Sequence, residues 1–157
     1  MTAVGDHGSG GKGGSGSNGT HIHAKGGVVR ATIPSDYIAG RDVQHAIMKE
    51  VLKHNFGTET VFAIRIALEE AIVNAIKHGN RLDPSKKVFV EAKVTPKRAE
   101  ITIEDQGEGF QRAGVPDPTA EENLYKCSGR GVLLIESYME SEWSHGGRRV
   151  RMVKEIK

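Results

Sequence analysis

The chain has 157 residues, with 22 Lys and Arg against 20 Asp and Glu, so its formal net charge at pH 7 is +2. This near balance gives no reason to expect a surface for nucleic acid or an anionic membrane, and no stretch approaches the ~18 consecutive apolar residues of a membrane span. A single cysteine, Cys127, excludes an internal disulfide and a cysteine-rich metal site, and together these features predict a cytoplasmic protein.

The N-terminal segment, residues 1–27, is rich in glycine and poor in large apolar side chains. It holds 10 of the 20 glycines, and such a composition cannot bury enough apolar surface to offset the entropy lost on ordering. The sequence therefore predicts a disordered tail over residues 1–27 and one folded domain over residues 28–157. His21 and His23 lie in this tail without a fixed third ligand, so we do not expect a metal site there.

The first half of the folded region is predicted to hold one strand and two helices. Val28–Ile33 is short and β-branched, as strands are. Pro34–Asp36 ends it and offers cap chemistry for a first helix, which is predicted to stop near Gly57. Thr58 is predicted to cap a second helix that ends at Gly79. The apolar face of the second helix comprises Val61, Ile64, Leu68, Ala71, Ile72 and Ala75.

The second half is predicted to hold two hairpins and one helix. Val88–Thr95 and Ala99–Glu104 alternate in polarity and form the first hairpin. A long polar connection over residues 111–128 is typical of a functional or mobile loop, and Gly129–Met139 is predicted to be a helix. The final hairpin comprises Glu142–His145 and Arg148–Ile156. Grouped strands and helices predict an α+β fold, a two-layer α/β sandwich whose mixed sheet is covered on one face by helices.

The second helix carries an acid and an amide one turn apart. Glu70 and Asn74 are spaced i and i+4, so their side chains share a face. An amide oxygen can coordinate Mg²⁺, and a carboxylate can orient or deprotonate an attacking hydroxyl. Taken alone, the pair is more typical of an exposed polar pair on an amphipathic helix than of a phosphate-transfer site.

Asp105-x-Gly107-x-Gly109 follows the predicted strand directly. A buried aspartate at this point can accept a hydrogen bond from an exocyclic amine such as that of adenine, and the glycines let backbone approach a ligand. The alternative interpretation is an ordinary Asp/Gly turn at the end of a strand.

Gly129-Arg130-Gly131 opens the last predicted helix. The free amides and positive dipole end of a helix start favour phosphate oxygens, so we expect the amides of residues 129–132, up to Val132, to hold phosphate charge. Arg130 can add a charge-assisted contact. The alternative is a flexible helix entry with a surface arginine.

The three segments occur in one chain and in a characteristic order. Glu70–Gly79, Asp105–Phe110 and Ser128–Val132 resemble the N, G1 and G2 boxes of the Bergerat-type ATPase and kinase superfamily. That superfamily includes DNA gyrase, heat-shock protein 90, mismatch-repair proteins and histidine kinases. The resemblance covers residues 28–157 and implies a Bergerat ATP-binding fold that takes ATP and Mg²⁺.

Within the superfamily the chain is most similar to the anti-sigma-factor serine-protein kinases. The segments that carry this similarity are Asn74–Gly79, Pro116–Thr119 and Ser128–Gly131. The resemblance implies a protein serine kinase that phosphorylates a serine on an anti-anti-sigma (STAS-type) partner, sequesters a sigma factor and forms a homodimer.

The same resemblance implies roles for individual residues. It makes Glu70 the catalytic base, Asn74 the magnesium ligand and Asp105 the group that recognises adenine. Nucleotide contacts are implied for Gly107, Gly109, Gly129 and Gly131.

Two other functions are compatible with these motifs. One is a nucleotide-gated binding module that has no kinase activity, and the other is the catalytic domain of a histidine kinase that works on a separate chain. The basic residues near the C-terminus, including Arg149 and Arg151, are expected to form a solvated strand face, with an acidic protein partner as the alternative.

Overall fold

The computed structural model describes residues 19–109 and 127–156, which form one six-stranded sheet with three α-helices. The strand order is β1-β2-β3-β4-β6-β5. The elements are β1 (His21–Lys25), β2 (Val28–Pro34), α1 (Tyr37–Val51), α2 (Thr58–Val73), a π-helix (Asn74–Gly79), β3 (Lys87–Thr95), β4 (Arg98–Glu104), α3 (Cys127–Tyr138), β5 (Glu140–Ser144), a 3-10 turn (His145–Gly147) and β6 (Arg149–Glu155).

The predicted α+β sandwich is confirmed, with one correction to the sheet. Along β2, β3 and β4 the residues alternate between buried and more exposed, so only one face of the sheet carries the helices. All five strand pairings in residues 19–109 and 127–156 are antiparallel, however, so the prediction of a mixed sheet is wrong. The order of elements predicted the helix and sheet layers, but it does not determine whether neighbouring strands pair in parallel or antiparallel.

The segment before Val28 contains a strand that the sequence analysis missed. β1 pairs with β2 along its whole length, and Gly26 and Gly27 form the turn with φ of +61° and +79°, as tight hairpins require. Ile22 is partly buried and packs against the core. The prediction of disorder is therefore wrong over this hairpin, because backbone pairing supplies order that composition does not reveal. The rest of the predicted tail, residues 1–18, lies outside the described residues.

The two long helices begin where the sequence predicts, but their ends differ in detail. Asp36 caps α1 by accepting a hydrogen bond from the amide of Ile38 at 2.7 Å. α1 ends at Val51, six residues before Gly57. Gly57, with φ of +86°, is the N-cap of α2, so Thr58 is the first helical residue and not the cap.

The core lies between the helices and one face of the sheet. Its largest fully buried side chains include Ile33, Ile47, Ile64, Leu68, Ile76, Ile101, Ile103, Ile135 and Met152, each of which contributes about 1.5–3 kcal/mol by burial. Gly40 lets α1 pack closely against the end of α2 and the π-helix, because a Cβ on Gly40 would lie 2.8 Å from side-chain carbons of Ile72 and Ile76. Within the described residues, no helix has the length and apolar character needed to cross a membrane.

The last part of the predicted second helix is a π-helix. It runs from Asn74 to Gly79, and the amide of Asn80 donates to the carbonyl of Ala75 at 2.8 Å across five residues. The wider π turn changes which side chains point toward the sheet edge. This short segment carries the first part of the candidate site.

Candidate functional site

Asn74 lies at the junction between α2 and the π-helix. It is 8% exposed, and within the described residues its Oδ1 atom accepts no hydrogen bond. Leaving a buried amide oxygen unpaired costs about 1–3 kcal/mol. This oxygen is therefore available to a ligand or a cation, and the role of Asn74 as a magnesium ligand stays a prediction.

Glu70 lies one turn earlier and faces the start of α3. A Cβ built on Gly131 would lie 3.3 Å from Glu70 Oε2, so the carboxylate occupies the space that the glycine leaves open. Burial raises the pKa of Glu70, the charge of Glu69 raises it further, and Arg130 lowers it. A carboxylate with a raised pKa is a stronger proton acceptor, which suits a general base.

Asp105 follows β4 directly and is 7% exposed. Its Oδ1 accepts a hydrogen bond from the amide of Gly107 at 2.8 Å, and its own amide donates to the carbonyl of Arg148 at 3.0 Å. Burial raises the pKa of Asp105, while the Gly107 amide and then Arg148 oppose that rise. The side chain is thus fixed in position and poorly hydrated, as an acceptor for a buried amine requires.

Two glycines bring Asp105 against the end of the π-helix. A Cβ on Gly79 would lie 2.3 Å from Asp105 Oδ2, and a Cβ on Gly107 would lie 1.9 Å from the carbonyl oxygen of Gly79. Any larger residue at either position would push the two segments apart. Gly107 therefore packs against protein backbone, and a direct contact from Gly107 to nucleotide stays a prediction.

A cavity of about 330 Å³ opens where these segments meet. It brings together Asn74, Asp105 and Gly109 from the predicted site. The other lining residues are Lys77, His78, Gly79, Arg81 and Glu108. The cavity thus joins a buried carboxylate and an unpaired amide oxygen to a rim that carries several charged side chains.

Glu70 and the predicted residues at positions 129–132 lie against or within α3 rather than in the lining of this cavity. α3 begins at Cys127, two residues before the predicted start, so Gly129 is in its first turn. Only the first four amides of a helix lack an intrahelical acceptor, and Gly131 and Val132 come after them. The side chain of Val132 is fully buried in the core. The contacts predicted for residues 129–132 therefore fit Gly129 best.

Larger concavities lie elsewhere among the described residues and contain none of the predicted site residues. One, of about 660 Å³, lies on the helix-free face of the sheet, a second, of about 700 Å³, lies along α1, and a third, of about 490 Å³, lies between the end of α3 and β6. Size alone does not identify a binding site, whereas buried polar groups that converge on one cavity do. The predicted connection over residues 111–128 falls almost wholly outside the described residues.

The sequence analysis missed several residues that line the cavity. Lys77 lies three residues after Asn74 on the chain, a spacing that could have placed it on the same face. Burial, and next the charge of Lys77, lower the pKa of His78, so the imidazole is held neutral over a wider pH range. Arg81 has a left-handed φ of +53° and lies 3.9 Å from Glu108 across the rim. Glu108 lies within the G1-like segment Asp105–Phe110 but was given no role of its own, and no sequence signal identified Arg81.

Known proteins with similar sequences include anti-sigma factors and serine-protein kinases. An anti-sigma F factor of Clostridium perfringens is 37% identical over 86 residues, which cover 53% of this chain and 61% of that protein. An anti-sigma F factor of Oceanobacillus iheyensis is 36% identical over 81 residues, which cover 50% and 55%. The serine-protein kinase RsbW of Listeria monocytogenes is 28% identical over 91 residues, which cover 54% and 58%.

The chain spans 55% to 61% of the length of these curated relatives. They confirm the predicted resemblance to anti-sigma-factor serine-protein kinases. The sequence model of the histidine kinase-like ATPase domain matches residues 33–154, which include Glu70, Asn74, Asp105 and α3. Because that match extends over most of the chain, this protein belongs to the histidine kinase-like ATPase domain family.

Proposed function

We propose that this chain binds Mg-ATP in the cavity beside Asn74 and Asp105 and transfers the terminal phosphoryl group to a serine of a protein partner. The observation that carries the proposal is the pairing of two buried polar groups in one cavity. Asp105 is a fixed, poorly hydrated acceptor, and Asn74 presents an oxygen that has no hydrogen-bond partner among the described residues. A base suited to proton transfer, Glu70, lies one helical turn away.

Asp105 would recognise the adenine base. Its Oδ1 is already engaged by the Gly107 amide, and its Oδ2 lies against Gly79. A carboxylate that accepts a hydrogen bond from the exocyclic amine of adenine discriminates against a base with a carbonyl at that position, because two acceptors would then face each other. This arrangement gives selectivity for ATP over nucleotides such as ITP.

Asn74 is the residue best suited to hold magnesium. Its buried Oδ1 is a hard oxygen donor without a protein partner in the described residues, which fits the preference of the ion. When bound, Mg²⁺ supplies the positive charge that offsets the triphosphate. Lys77 and Arg81 line the same cavity and add to the favourable potential for phosphate. Gly129 and Arg130, at the start of α3, would contribute an amide and a guanidinium.

Glu70 would act as the catalytic base. It accepts the proton of the serine hydroxyl as the new oxygen–phosphorus bond forms and the bond to the departing ADP breaks. Burial, which raises the pKa of Glu70, increases its basicity for this step. Glu70 lies against Gly131 of α3 and one helical turn before Asn74, which lines the cavity, and we infer that an acceptor protein reaches the base from that side.

The names of the relatives support the choice of partners. Proteins similar to this chain are called anti-sigma F factor and serine-protein kinase RsbW. We infer that the phosphoryl acceptor is a serine on an anti-anti-sigma (STAS-type) protein and that the chain sequesters a sigma factor. The family resemblance also supports a homodimer that acts in the cytoplasm.

The decisive experiment measures transfer of labelled γ-phosphate to a candidate anti-anti-sigma protein. Glu70→Ala should lower the transfer rate by about 10²-fold or more, as loss of a general base does, while ATP affinity measured by calorimetry stays within about threefold. Glu69→Ala is the matched control, because Glu69 is an exposed acid at the preceding position of the same helix. At a pH well above the raised pKa of Glu70, where the charge of Glu69 no longer decides the protonation of the base, it should leave the rate nearly unchanged.

The outcomes separate the candidate functions. Equal transfer by the Glu70→Ala and Glu69→Ala variants would remove Glu70 as the base. ATP binding with no transfer to any candidate serine would favour a nucleotide-gated binding module, which is compatible with the position of Glu70 outside the cavity lining. Transfer to a histidine on a separate chain would instead identify a histidine-kinase catalytic domain.

A further inference from the structure

Asn80 is a fully buried polar residue that follows the π-helix and lies outside the lining of the nucleotide cavity. Its Nδ2 donates to Ser35 Oγ at 3.0 Å and to the carbonyl of Lys87 at 2.9 Å. Its Oδ1 accepts a hydrogen bond from the amide of Gln106 at 2.8 Å, and its own amide donates to the carbonyl of Ala75. The whole side-chain amide is therefore satisfied by protein groups.

These contacts join four separate parts of the fold. Ser35 precedes α1, Ala75 belongs to the π-helix, Lys87 opens β3 and Gln106 follows β4. Gln106 is held a second time, because its Oε1 accepts a hydrogen bond from the amide of Lys87 at 2.7 Å. A buried network in which every member is paired fixes a unique geometry, and removal of one member leaves the others unpaired.

Gln106 is the residue between Asp105 and Gly107. Its position decides where the Asp105 carboxylate lies relative to Gly79. The packing here is so close that neither Gly79 nor Gly107 has space for a Cβ. Within the described residues, the hydrogen bond from the Gln106 amide to Asn80 Oδ1 is a side-chain link between the end of the π-helix and this turn. A loss of that link would let the turn, and the carboxylate on it, move by a few tenths of an ångström, which is enough to weaken a directional hydrogen bond.

We propose that Asn80 is a positioning residue for recognition of the nucleobase. It acts through Gln106 to hold the Asp105 carboxylate where the exocyclic amine of adenine must meet it, and it makes no ligand contact itself. This inference rests on the proposed function, since it requires that Asp105 bind adenine. Its consequence is that Asn80 sets the preference for ATP over ITP, whose base lacks the exocyclic amine, rather than the affinity for nucleotides in general.

Calorimetric titration of the full chain with Mg-ATP and with Mg-ITP tests this role. The wild type should bind ATP at least about tenfold more tightly than ITP, because one hydrogen bond to a charged acceptor separates them. Asn80→Ala should weaken ATP binding by about tenfold and ITP binding by less than about twofold. If Asn80→Ala does not fold, Asn80→Ser is titrated in its place, because serine keeps a small polar group in the buried site.

Ser35→Ala is the matched control. It removes another hydrogen bond of the same network, as well as the bond from Ser35 Oγ to the carbonyl of Lys86, but it leaves the Asn80–Gln106 bond in place. It should lower the unfolding temperature and leave the ratio of ATP to ITP affinity unchanged. In an Asp105→Asn background, Asn80→Ala should have no further effect on that ratio, since coupled residues are not additive.

Each outcome has a distinct meaning. A variant at Asn80 that weakens ATP and ITP by the same factor, or that keeps the wild-type ratio, overturns the positioning role. A wild type that binds the two nucleotides equally overturns it as well, together with the role of Asp105. A folded wild type that binds neither nucleotide contradicts the proposed function itself.

Discussion

Buried polar residues of this protein fall into two groups that differ in how they are satisfied. Asn80 is fully paired within the protein, whereas the Asn74 oxygen has no partner in the part of the chain that the structure describes, and burial raises the pKa of Asp105. The first group stabilises the fold, and the second costs folding free energy. Sequence motifs predicted Asn74 and Asp105, because ligand chemistry leaves a recognisable spacing. They did not predict Asn80, because its partners are brought together only by the tertiary fold.

Glu70 gives a prediction about pH. Its pKa is raised by burial first and then by Glu69, and it is lowered by Arg130. A general base works only when deprotonated, so transfer should fall as the pH drops through the raised pKa of Glu70. Glu69→Gln removes a negative neighbour, so the acid limb of the kcat profile should move to lower pH. Arg130→Gln removes a positive neighbour, so the limb should move to higher pH.

The measurement is kcat against pH at saturating ATP, which separates the titration from any change in nucleotide affinity. Glu59→Gln is a suitable control, since Glu59 lies in the first turn of the same helix, more than two turns from Glu70. Opposite shifts for the two neighbours are the expected result. Shifts of the same sign, or none, would show that Glu70 does not control the acid limb.

Helices and strands were predicted more reliably than the irregular features between them. The strand patterns at Val88–Thr95 and Ala99–Glu104 match β3 and β4 closely, since alternation reports a half-buried strand directly. The π-helix was not predicted, because it differs from an α-helix by one residue in a turn and shows no distinct apolar period. Its consequence for the site is large, since Asn74 and Gly79 are its first and last residues.

Packing of the π-helix against the turn after β4 predicts an unusually costly substitution. In Gly107→Ala the new Cβ would lie 1.9 Å from the Gly79 carbonyl oxygen, and backbone cannot yield as a flexible side chain does. We expect a loss of about 3 kcal/mol in the free energy of unfolding, at the upper end of overpacking effects, together with loss of ATP binding. Denaturant unfolding monitored by circular dichroism gives the first quantity, and calorimetry gives the second.

Gly26→Ala provides the comparison. Gly26 has a positive φ of +61°, but a Cβ there meets nothing within 4 Å, so only backbone strain of about 1–2 kcal/mol is expected. ATP binding should survive, because the β1–β2 turn contributes no lining residue to the cavity. A Gly107→Ala protein as stable as Gly26→Ala and still able to bind ATP would contradict the close packing described for this turn.

For the whole molecule, the sequence predicted the helix layer and the sheet layer, but it predicted neither the edge strand β1 nor the directions of the strands. Apolar alternation identified one buried sheet face, yet it could not show that every strand pair is antiparallel or that β1 extends the sheet. The opposite face carries paired charges, with Arg30 on Glu91 at 2.9 Å and Arg151 beside both Glu100 and Glu142. The side chain of Arg151 is 41% exposed on this face, and the choice between a solvated face and a docking surface for an acidic partner stays a prediction. Exposed pairs of this kind contribute about 0–1 kcal/mol each.

Nucleotide binding should stabilise the fold as a unit, because the cavity is formed by the π-helix and the turn after β4 together. A ligand that binds only the folded state adds ~2.7 kcal/mol at a hundredfold excess over its dissociation constant. For a domain of this size that corresponds to a rise of roughly 10 °C in Tm. Thermal unfolding of the wild type with and without saturating Mg-ATP measures this shift.

Asn74→Ala should lose most of the Mg-ATP shift, because it removes the oxygen that we assign to magnesium. Without ligand, the free energy of unfolding of the variant should lie within about 1 kcal/mol of the wild-type value or slightly exceed the wild-type value. The reason is that the deleted oxygen accepts no hydrogen bond within the described residues. When Mn²⁺, which prefers the same oxygen ligands, replaces Mg²⁺, ATP should still raise the Tm of the wild type in part, but it should not raise the Tm of Asn74→Ala. A full Mg-ATP shift in a folded Asn74→Ala variant would exclude Asn74 as the metal ligand, and a wild type without any shift at millimolar Mg-ATP would exclude the nucleotide site.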